Sequence, residues 1–285
     1  MSTKHQTVVV TGASSGIGLA TAKEFASRGY TVIAGARRVD AMEELRKLGV
    51  ITVSLDVTSP ESVQSLKELI KQEYDGEIQY LFNNAGQSCT FPAIDVSDEN
   101  MEKCFAVNVF GQVRVTRELV PFLIKTRGTV GFTGSVSGFL PFPFSSIYSS
   151  TKAAIHEFAS TLAFELEPFD VKVINIITGG VDTDIADKRP LPEDSWYSAE
   201  GIEELISKRR EMAKRNAPMS AELYAQKVVS DFEGSRIGVI NYYRGSKASI
   251  LHVVSFFPRF WVTFVFRRMF GMVSLWQHLR EKYSK

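Results

Sequence analysis

The sequence predicts an α/β fold, a doubly wound parallel sheet of about seven strands with helices on both faces. Short apolar runs, typical of buried strands, alternate along the chain with segments of helical periodicity. A glycine-rich string follows the first apolar run, at the point where a strand would turn into a helix. The chain has 285 residues, which is enough to bury one large core of this class.

The bounds of each element follow from these runs and periods. Strands are predicted near residues 7–11, 30–35, 51–55, 78–82, 128–134, 171–177 and 236–242. Helices are predicted near residues 16–28, 40–48, 60–73, 98–124 and 146–167. Ser59 and Pro60 form a helix start, with a capping side chain before a proline at the first helical position, and Pro168 ends the last of these helices.

Residues 182–220 interrupt the alternation. The segment is rich in charged side chains and contains three prolines. It fits a mobile substrate flap or, alternatively, an ordinary surface insertion. We expect residues 1–249 to form one domain that includes this segment, and residues 250–285 to form a C-terminal segment of different character.

Composition excludes several classes of protein. With 33 basic and 32 acidic residues the net charge is +1, so nothing global favours binding to nucleic acid. The two cysteines, Cys89 and Cys104, form no disulfide framework, and the four histidines lack the spacing of metal ligands. We therefore expect no metal site and a reducing compartment. The first six residues leave no room for a secretory signal, so the body of the protein is expected to face the cytosol.

The glycine-rich string, Thr11-Gly12-Ala13-Ser14-Ser15-Gly16-Ile17-Gly18, predicts a pyrophosphate site. Glycine permits positive φ and close approach of the main chain, and the free N–H groups of a helix N-terminus attract an anion. The residues expected to hold the pyrophosphate are Gly12, Ser14, Ser15, Gly16, Ile17 and Gly18.

The same string also matches Gly-x-Ser-x-Gly, the turn that carries the nucleophile of lipid hydrolases. In that alternative Ser14 would be the nucleophile, with His156 or His252 as its base. Neither histidine has the sequence surroundings of such a base, so the hydrolase is the less favoured interpretation.

Arg37 and Arg38 directly follow the second predicted strand. Sites for NAD place a carboxylate near this point, against the hydroxyls of the adenosine ribose, whereas this chain has Ala36. The planar guanidinium of arginine can clasp a 2′-phosphate, which a carboxylate would repel. We therefore predict NADPH/NADP+ as the cofactor. The alternative is that the two arginines only begin a solvated helix.

Tyr148 and Lys152 stand four residues apart in the string Tyr148-Ser149-Ser150-Thr151-Lys152, on one face of a predicted helix. A cation beside a phenol stabilises phenolate and lowers its pKa from about 10. Tyr148 could then donate a proton near neutral pH. Such pairs also arise by chance on helix surfaces, so this pair alone is weak evidence for catalysis.

Together with Asn83-Asn84-Ala85-Gly86, Asn108 and Ser135, these strings resemble the short-chain dehydrogenase/reductase family. The resemblance covers roughly residues 7 to 185. It implies a Rossmann-type dinucleotide-binding fold and a nicotinamide-dependent oxidoreductase.

The resemblance implies a role for each of four catalytic residues. Tyr148 is the general acid for a ketone oxygen, and Ser135 donates a hydrogen bond to the same oxygen. Lys152 lowers the pKa of the phenol and holds the nicotinamide ribose, and Asn108 connects Lys152 to a proton relay. Further implied contacts with the cofactor come from Asp56, Val57, Asn83, Ala85, Gly86, Gly179, Val181 and Thr183. The chain departs from the family's usual Pro-Gly, reading Thr178-Gly179-Gly180 instead.

Longer strings at residues 83–93, 107–111 and 177–193 resemble one lipid-metabolising subgroup of the family. That resemblance implies reduction of the ketone of a 1-acyldihydroxyacetone phosphate to 1-acylglycerol 3-phosphate, a step towards phosphatidic acid. It also implies a location on the cytosolic face of the endoplasmic reticulum and on lipid droplets. Another lipophilic carbonyl, such as retinal or a 17-ketosteroid, is the alternative substrate.

Such a substrate needs cations for its phosphate and an apolar groove for its acyl chain. The expected phosphate ligand is Lys188 or Arg189, because both follow the predicted cofactor loop; solvated cations of a flap are the alternative interpretation. The further cations nearby are Lys208, Arg209 and Arg210. The residues expected beside the substrate are Gln87, Phe139, Phe142 and Phe144.

The C-terminal segment is rich in aromatic residues between residues 250 and 276, but Pro258, Arg259 and the pair Arg267-Arg268 interrupt it. A bilayer-spanning helix needs about 20 consecutive apolar residues, so the segment predicts an amphipathic helix at a membrane or lipid-droplet surface. The alternative is a helix that packs on the protein core or on a dimer mate. The family resemblance also suggests a homodimer formed through the helices that carry Asn108 and Tyr148.

Overall fold

The structure of the chain, a computed structural model that describes residues 6–187 and 189–284, contains a seven-stranded sheet. Its strands are β1 (Thr7–Thr11), β2 (Thr31–Ala36), β3 (Ile51–Ser54), β4 (Tyr80–Asn83), β5 (Thr129–Thr133), β6 (Lys172–Thr178) and β7 (Asn241–Arg244). They lie side by side in the order β3-β2-β1-β4-β5-β6-β7, and every adjacent pair is parallel. The predicted doubly wound α/β fold is therefore confirmed.

The strand order reverses between β1 and β4. Val9 of β1 lies opposite Ile33 of β2 on one side and opposite Leu81 of β4 on the other. The chain winds outward from β1 through β2 to β3 and then returns to build β4 to β7 in the other direction. At such a reversal a crevice opens outside the carboxyl ends of the strands, where ligands of this fold class bind.

The helices alternate with the strands and then continue beyond β7. They are α1 (Gly16–Ser27), α2 (Glu43–Lys47), α3 (Pro60–Glu73), α4 (Asp98–Phe105), α5 (Gln112–Thr126), α6 (Ser146–Leu166), α7 (Ile202–Arg210), α8 (Met212–Arg215), α9 (Ala221–Glu233), α10 (Ala248–Val254), α11 (Arg259–Met269) and α12 (Met272–Tyr283). Ser59 caps α3 by accepting from the N–H of Ser62, and Pro60 is its first residue.

Two apolar layers cover the two faces of the sheet. Val9 faces the layer that holds α3, α5 and α6, while Val8 and Val10 face the layer of α1 and α9. Successive side chains of a strand point to opposite faces, so alternate residues of β1 belong to different cores. In the second layer Phe25 of α1 and Phe232 of α9 meet edge to face, with ring centroids 5.6 Å apart.

Several elements differ from the sequence-based bounds. The helix predicted over 98–124 is α4, a π-helical turn at Ala106–Gly111, and α5. The last strand lies at Asn241–Arg244 rather than near 236–242, and α9 was not predicted. Residues 182–220 contain α7 and α8, so they are more than an irregular insertion.

The C-terminal segment folds as the short helices α10 to α12, and one side of them packs on the body of the protein. Phe266 of α11 is buried against Phe142, with ring centroids 5.2 Å apart. The other side is open, since Phe256, Phe260 and Phe264 are 76%, 64% and 43% exposed. Packing on the core, the alternative interpretation of this segment, therefore holds for one side of it. Among the residues that the structure describes, no helix has both the length and the apolar character that a bilayer crossing requires.

Candidate active site

A cleft of about 1800 Å³ follows the carboxyl ends of the strands. The segments directly after β1 to β6 all contribute to its lining, as does the first part of α6. Further lining comes from α7, α8, α10 and α11. The cleft therefore lies at the reversal of strand order, where this fold class binds its ligands.

The turn between β1 and α1 forms part of the cleft wall. The residues of this turn that line the cleft are Gly12, Ser14, Ser15, Gly16 and Ile17. Gly12 and Gly16 have φ of +69° and +53°, and a Cβ on Gly12 would lie 2.8 Å from Cα of Ala85. The side chain of Ser15, at the N-cap of α1, makes no capping hydrogen bond, so the first N–H groups of the helix are available to an anion. The turn fits the pyrophosphate of a dinucleotide.

The prediction for Gly18 needs correction, because this residue lies behind the cleft wall that the described residues form. A Cβ at this position would lie 2.4 Å from the carbonyl oxygen of Gly12 and 2.5 Å from Nδ2 of Asn84. The missing side chain lets α1 pack directly against the turn, so Gly18 shapes the site without lining it.

Arg37 and Arg38 are exposed and line the cleft beside Asp56 and Val57. The Asp56 carboxylate accepts hydrogen bonds from N–H and Oγ1 of Thr58 at 2.9 and 2.7 Å. Burial acts to raise the pKa of Asp56, but the hydrogen bonds from Thr58 and the charge of Arg37 outweigh it and lower that pKa. Two exposed guanidinium groups directly after β2 fit a 2′-phosphate on the adenosine ribose.

The prediction for Asn83 needs correction in favour of its neighbour. Asn83 is the fully buried last residue of β4, and its Nδ2 donates to Oγ1 of Thr116 on α5 at 3.0 Å. Asn84 lines the cleft, with Nδ2 donating to the carbonyl oxygen of Thr11 at 3.0 Å and Oδ1 accepting from Oγ1 of Thr133 at 3.2 Å. Side chains alternate along a strand, so one of two adjacent asparagines points away from the cleft. The next residues along the chain, Ala85, Gly86 and Gln87, also line it.

The turn after β6 lines the cleft with Thr178, Gly179, Gly180, Val181 and Thr183. A Cβ on Gly179 would lie 2.3 Å from the carbonyl oxygen of Ser246, so glycine is required at this position. Thr178 shares a hydrogen bond of 2.6 Å with the hydroxyl of the buried Tyr224 on α9. The threonine that departs from the resembled family's pattern thus has its own structural partner.

Ser135, Tyr148 and Lys152 meet where β5 ends and α6 begins. The hydroxyl of Ser135 lies close enough to Tyr148 to act on the pKa of its phenol. Nζ of Lys152 lies 5.7 Å from the ring centroid of Tyr148 and donates to the carbonyl oxygen of Thr133 at 2.7 Å. All three side chains line the cleft, so two hydroxyl groups and an amine face one space.

The pKa of the Tyr148 phenol is raised, which corrects the expectation that Lys152 lowers it. Burial is the largest cause, and the hydroxyl of Ser135 and the charge of Arg209 act against it without offsetting it. Burial also lowers the pKa of Lys152 to about 8. Tyr148 therefore holds its proton at neutral pH, as a general acid must.

Asn108 lies in the π-helical turn and is fully buried. Its Nδ2 donates to the carbonyl oxygen of Gln87 at 3.0 Å and to Oγ1 of Thr151 at 3.1 Å, and its Oδ1 accepts from the N–H of Gln87 at 2.8 Å. Among the described residues, its hydrogen-bond partners do not include Lys152. Asn108 is therefore a positioning residue that links the segment after β4 to helix α6.

His156 is a positioning residue that the sequence analysis considered only as a hydrolase base. Its Nε2 accepts from the main-chain N–H of Ser135 at 3.1 Å. His252 stacks on Tyr243, with ring centroids 4.1 Å apart. Within the described part of the chain neither histidine contacts Ser14, so the hydrolase interpretation has no support in the geometry. The described residues also contain no cluster of side chains that could hold a metal ion.

The predicted substrate contacts are met only in part. Gln87 and Phe142 line the cleft, whereas Phe139 packs against His156 and His252, and Phe144 packs against Tyr197. The last two phenylalanines therefore support the cleft wall from behind.

Arg189 lies outside the cleft lining that the structure describes and pairs with Asp187, so the geometry gives no support to its predicted role as phosphate ligand. Nε of Arg189 donates to Oδ1 of Asp187 at 2.9 Å, and its guanidinium lies over Phe91, 5.4 Å from the ring centroid. Lys188 lies outside the described residues. The cations of this region that do line the cleft are Arg209 and Arg210 of α7, whereas Lys208 pairs with Glu204 on the same helix.

Comparisons with known proteins agree with this geometry. The family model for short chain dehydrogenases matches residues 6–194. The chain is 48% identical over 259 residues to the NADPH-dependent 1-acyldihydroxyacetone phosphate reductase of Saccharomyces cerevisiae, covering 89% of this chain and 87% of that protein. It is 39% identical over 198 residues to the protein of the same name from Schizosaccharomyces pombe, covering 67% of each. A solved structure of a short-chain dehydrogenase from Streptomyces avermitilis superposes with a TM-score of 0.77 at 27% identity, covering 96% of this chain and 98% of that one.

The family match takes in the cleft wall from the glycine turn to the turn after β6, and with it every member of the Ser135, Tyr148 and Lys152 group. The relatives extend the similarity across most of the chain. This protein belongs to the short-chain dehydrogenase family and is an oxidoreductase.

Proposed function

We propose that this enzyme uses NADPH to reduce the ketone of a 1-acyldihydroxyacetone phosphate to 1-acylglycerol 3-phosphate, a step towards phosphatidic acid. The observation that carries the proposal is the 48% identity with the Saccharomyces cerevisiae reductase over most of both chains. The Schizosaccharomyces pombe protein of the same name supports it.

The residues of the cleft supply the acid–base part of this reaction. NADPH, when bound, supplies a hydride to the carbonyl carbon. Tyr148 donates its proton to the ketone oxygen, and Ser135 donates a hydrogen bond to the same oxygen as negative charge develops there. Lys152 adds an amine near the phenol, and this amine would hold the nicotinamide ribose when NADPH is bound.

The choice of NADPH rests on Arg37 and Arg38. Both are exposed at the cleft, and Ala36 ends β2 where a carboxylate would favour NADH. The turn from Gly12 to Ile17 supplies the N–H groups for the pyrophosphate.

The apolar mouth of the cleft supports a lipid substrate. Phe257, Trp261, Val265 and Met269 line the cleft, yet they are 57%, 53%, 53% and 60% exposed. The cleft therefore continues into the exposed side of α10 and α11. An acyl chain could extend from the cleft to this exposed side along a continuous apolar surface.

The exposed aromatic side also supports attachment to a lipid surface. Phe256, Phe260 and Phe264 project from it, and the Arg268 guanidinium lies over Phe264, 3.8 Å from the ring centroid. Aromatic and cationic side chains together suit a lipid surface with anionic headgroups. The proposal therefore includes attachment through residues 250–276 to the cytosolic face of the endoplasmic reticulum and to lipid droplets.

A homodimer is the remaining part of the proposal. Phe110 of the π-helical turn and Phe164 of α6 are 58% and 74% exposed. Apolar side chains on these two elements suit a contact between two copies.

The experiment is a panel of substrates followed by oxidation of NADPH. The panel contains an acyl-dihydroxyacetone phosphate, its dephosphorylated form, retinal and a 17-ketosteroid. We expect the highest kcat/KM for the phosphorylated lipid. The second candidate function is reduction of another lipophilic carbonyl, and only the apolar mouth of the cleft favours it. A higher kcat/KM for retinal or the steroid would overturn the proposed substrate and support this second candidate.

A further inference from the structure

The proposed substrate carries its phosphate close to the reacting carbon, because only a methylene and an ester oxygen lie between them. A ketone held by Ser135 and Tyr148 therefore brings the phosphate to side chains beside Tyr148. A phosphate monoester is strongly anionic near neutral pH, so holding it in a partly desolvated cleft requires cationic partners.

Most of the cationic side chains that line the cleft either lie on the adenosine side or interact with other groups of the protein. Arg37 and Arg38 stand beside Asp56, on the adenosine side. Lys152 donates to the carbonyl oxygen of Thr133 at the catalytic group.

Two lysines of the lining also have partners. Lys214 pairs with Asp184 at 2.7 Å, and Lys247 donates to Oδ1 of Asn216 at 3.0 Å. Among the described residues this leaves two guanidinium groups of the cleft lining, both at the end of α7.

Arg209 is buried in the cleft wall without a counter-ion. Only 8% of the residue is exposed, and no ion pair among the described residues includes it. Its Nε donates to the carbonyl oxygen of Pro143 at 3.1 Å and its Nη2 to Oγ of Ser145 at 2.6 Å. Its guanidinium lies over Phe142, 5.2 Å from the ring centroid. None of the described residues accepts from Nη1, so part of this donor fork is left for a ligand.

The electrostatics of Arg209 favour an anionic ligand. Burial lowers the pKa of Arg209 to about 10, and its charge acts on the phenol of Tyr148. Arginine normally keeps its pKa far above this value, and a buried charge without a partner is costly. An anion bound beside Tyr148 would offset that cost.

Arg210 offers a second donor next to it. Its Nη2 donates to the carbonyl oxygen of Arg189 at 2.6 Å. Its Nε is buried and has no acceptor among the described residues. Both arginines line the cleft, and each keeps an N–H group without an acceptor among the described residues.

We infer that Arg209 and Arg210 bind the phosphate of the substrate, with Arg209 held at Ser145, three residues before Tyr148. The inference rests on the proposed function for the identity of this phosphate ester. It makes the two arginines specificity determinants, because a neutral analogue would leave their buried N–H groups unpaired.

A purely structural role for Arg209 predicts a different result. Its bonds to Pro143 and Ser145 hold the segment that leads into α6, so loss of these bonds alone would slow every substrate alike. A loss confined to phosphorylated substrates separates binding of phosphate from support of the fold.

The test measures kcat/KM of Arg209→Gln and Arg210→Gln on an acyl-dihydroxyacetone phosphate and on its dephosphorylated form. We expect Arg209→Gln to lose about 100-fold on the phosphorylated substrate and less than about threefold on the other, and Arg210→Gln to lose about 10-fold on the phosphorylated substrate alone. The matched control is Lys208→Gln, which removes an exposed cation from the same helix and should leave both values unchanged. Equal losses on the two substrates would overturn the inference.

A second measurement needs no turnover. Calorimetry follows the binding of glycerol 3-phosphate to the enzyme saturated with NADP+. Wild type should bind it, Arg209→Gln should not, and Arg209→Lys should recover part of the affinity. Equal binding by wild type and Arg209→Gln would overturn the inference. If wild type binds glycerol 3-phosphate through Arg209 and yet fails to reduce the acyl-dihydroxyacetone phosphate, the proposed substrate fails and the phosphate site stands.

Discussion

The main-chain N–H of Ser135 donates to Nε2 of His156 across 3.1 Å, which ties the catalytic serine to the helix that carries Tyr148. Gly134 and Gly138 make room for the imidazole, since a Cβ on either would lie 2.7 or 2.4 Å from its ring. Burial, together with the charge of Lys152, lowers the pKa of His156 to about 4. The imidazole is therefore neutral at physiological pH, which leaves Nε2 free to accept the bond.

This pKa makes stability depend on pH. In the unfolded chain His156 takes up a proton below about pH 6.5, whereas in the folded enzyme it does so only near pH 4. The stabilising contribution is complete above pH 6.5 and is lost as the pH falls towards 4. We expect urea denaturation to show that wild type loses about 2 kcal/mol more than His156→Gln between pH 6.5 and pH 5. The glutamine keeps an acceptor but does not titrate, so equal pH dependences in the two proteins would contradict this account.

Removing the phenol hydroxyl should stop the proton transfer while leaving the cofactor site intact. We expect Tyr148→Phe to lower kcat by roughly a thousandfold, and Ser135→Ala by roughly a hundredfold, because the first removes the acid and the second one hydrogen bond to the developing oxyanion. Steady-state oxidation of NADPH gives kcat, and fluorescence titration with NADPH provides the control for folding and cofactor affinity. A Tyr148→Phe enzyme that keeps a tenth of wild-type turnover would refute the assignment.

The two arginines after β2 should decide between NADPH and NADH. Replacing Arg37 and Arg38 by alanine removes charge-assisted hydrogen bonds to the 2′-phosphate, each worth about 1.5–3 kcal/mol. We expect kcat/KM for NADPH to fall by a factor on the order of a hundred or more, with kcat/KM for NADH nearly unchanged. Arg46→Ala, which removes an exposed cation from α2, is the matched control. A parallel loss with both cofactors would show that the arginines only support the fold.

The exposed aromatic side of α11 and of the turn before it should govern binding to lipid surfaces. Phe256, Phe260 and Phe264 are exposed but do not line the cleft as the structure describes it, so replacing all three by serine leaves the catalytic group untouched. Full burial of each side chain would contribute about 1.5–3 kcal/mol, so partition into liposomes should drop by a factor on the order of a hundred or more. Flotation measures it, and turnover of a short-chain, water-soluble substrate should stay at the wild-type rate. Phe169→Ser, at another exposed phenylalanine, is the control; undiminished flotation of the triple variant would exclude this surface as the anchor.

The parts of the site that sequence alone located share one property: their chemistry depends on short spacings. The glycine turn brings Gly12 to Gly16 together within one turn, and Tyr148 and Lys152 lie on one helix face whatever surrounds them. The sequence also predicts the first six strands to within a few residues, because each carries a short run of apolar or β-branched residues. β7 was misplaced because its residues Asn241–Arg244 are at most half-buried and give no apolar run.

The roles that the sequence alone cannot assign depend on the direction in which a side chain points, and packing sets that direction. Asn83 and Asn84 are chemically identical, and only the packing of β4 against α5 turns the first away from the cleft. The position of Arg189 after the cofactor loop suits a phosphate ligand, but its pairing with Asp187, two residues earlier, depends on the fold of the loop. The orientation of Arg209 depends on how α7 docks, which no local pattern specifies. By contrast α9 could have been found, since its buried Tyr224, Val228 and Phe232 recur every four residues.

The most direct test of the central claim follows an isotope from cofactor to product. The enzyme is incubated with an acyl-dihydroxyacetone phosphate and NADPH that carries deuterium on both transferable positions of its nicotinamide, and the lipid product is analysed by mass spectrometry. The account predicts 1-acylglycerol 3-phosphate with a single deuterium on the central glycerol carbon, formed by wild type and not by Tyr148→Phe. Unlabelled product, or unchanged substrate beside a labelled product from retinal or a 17-ketosteroid, would contradict it.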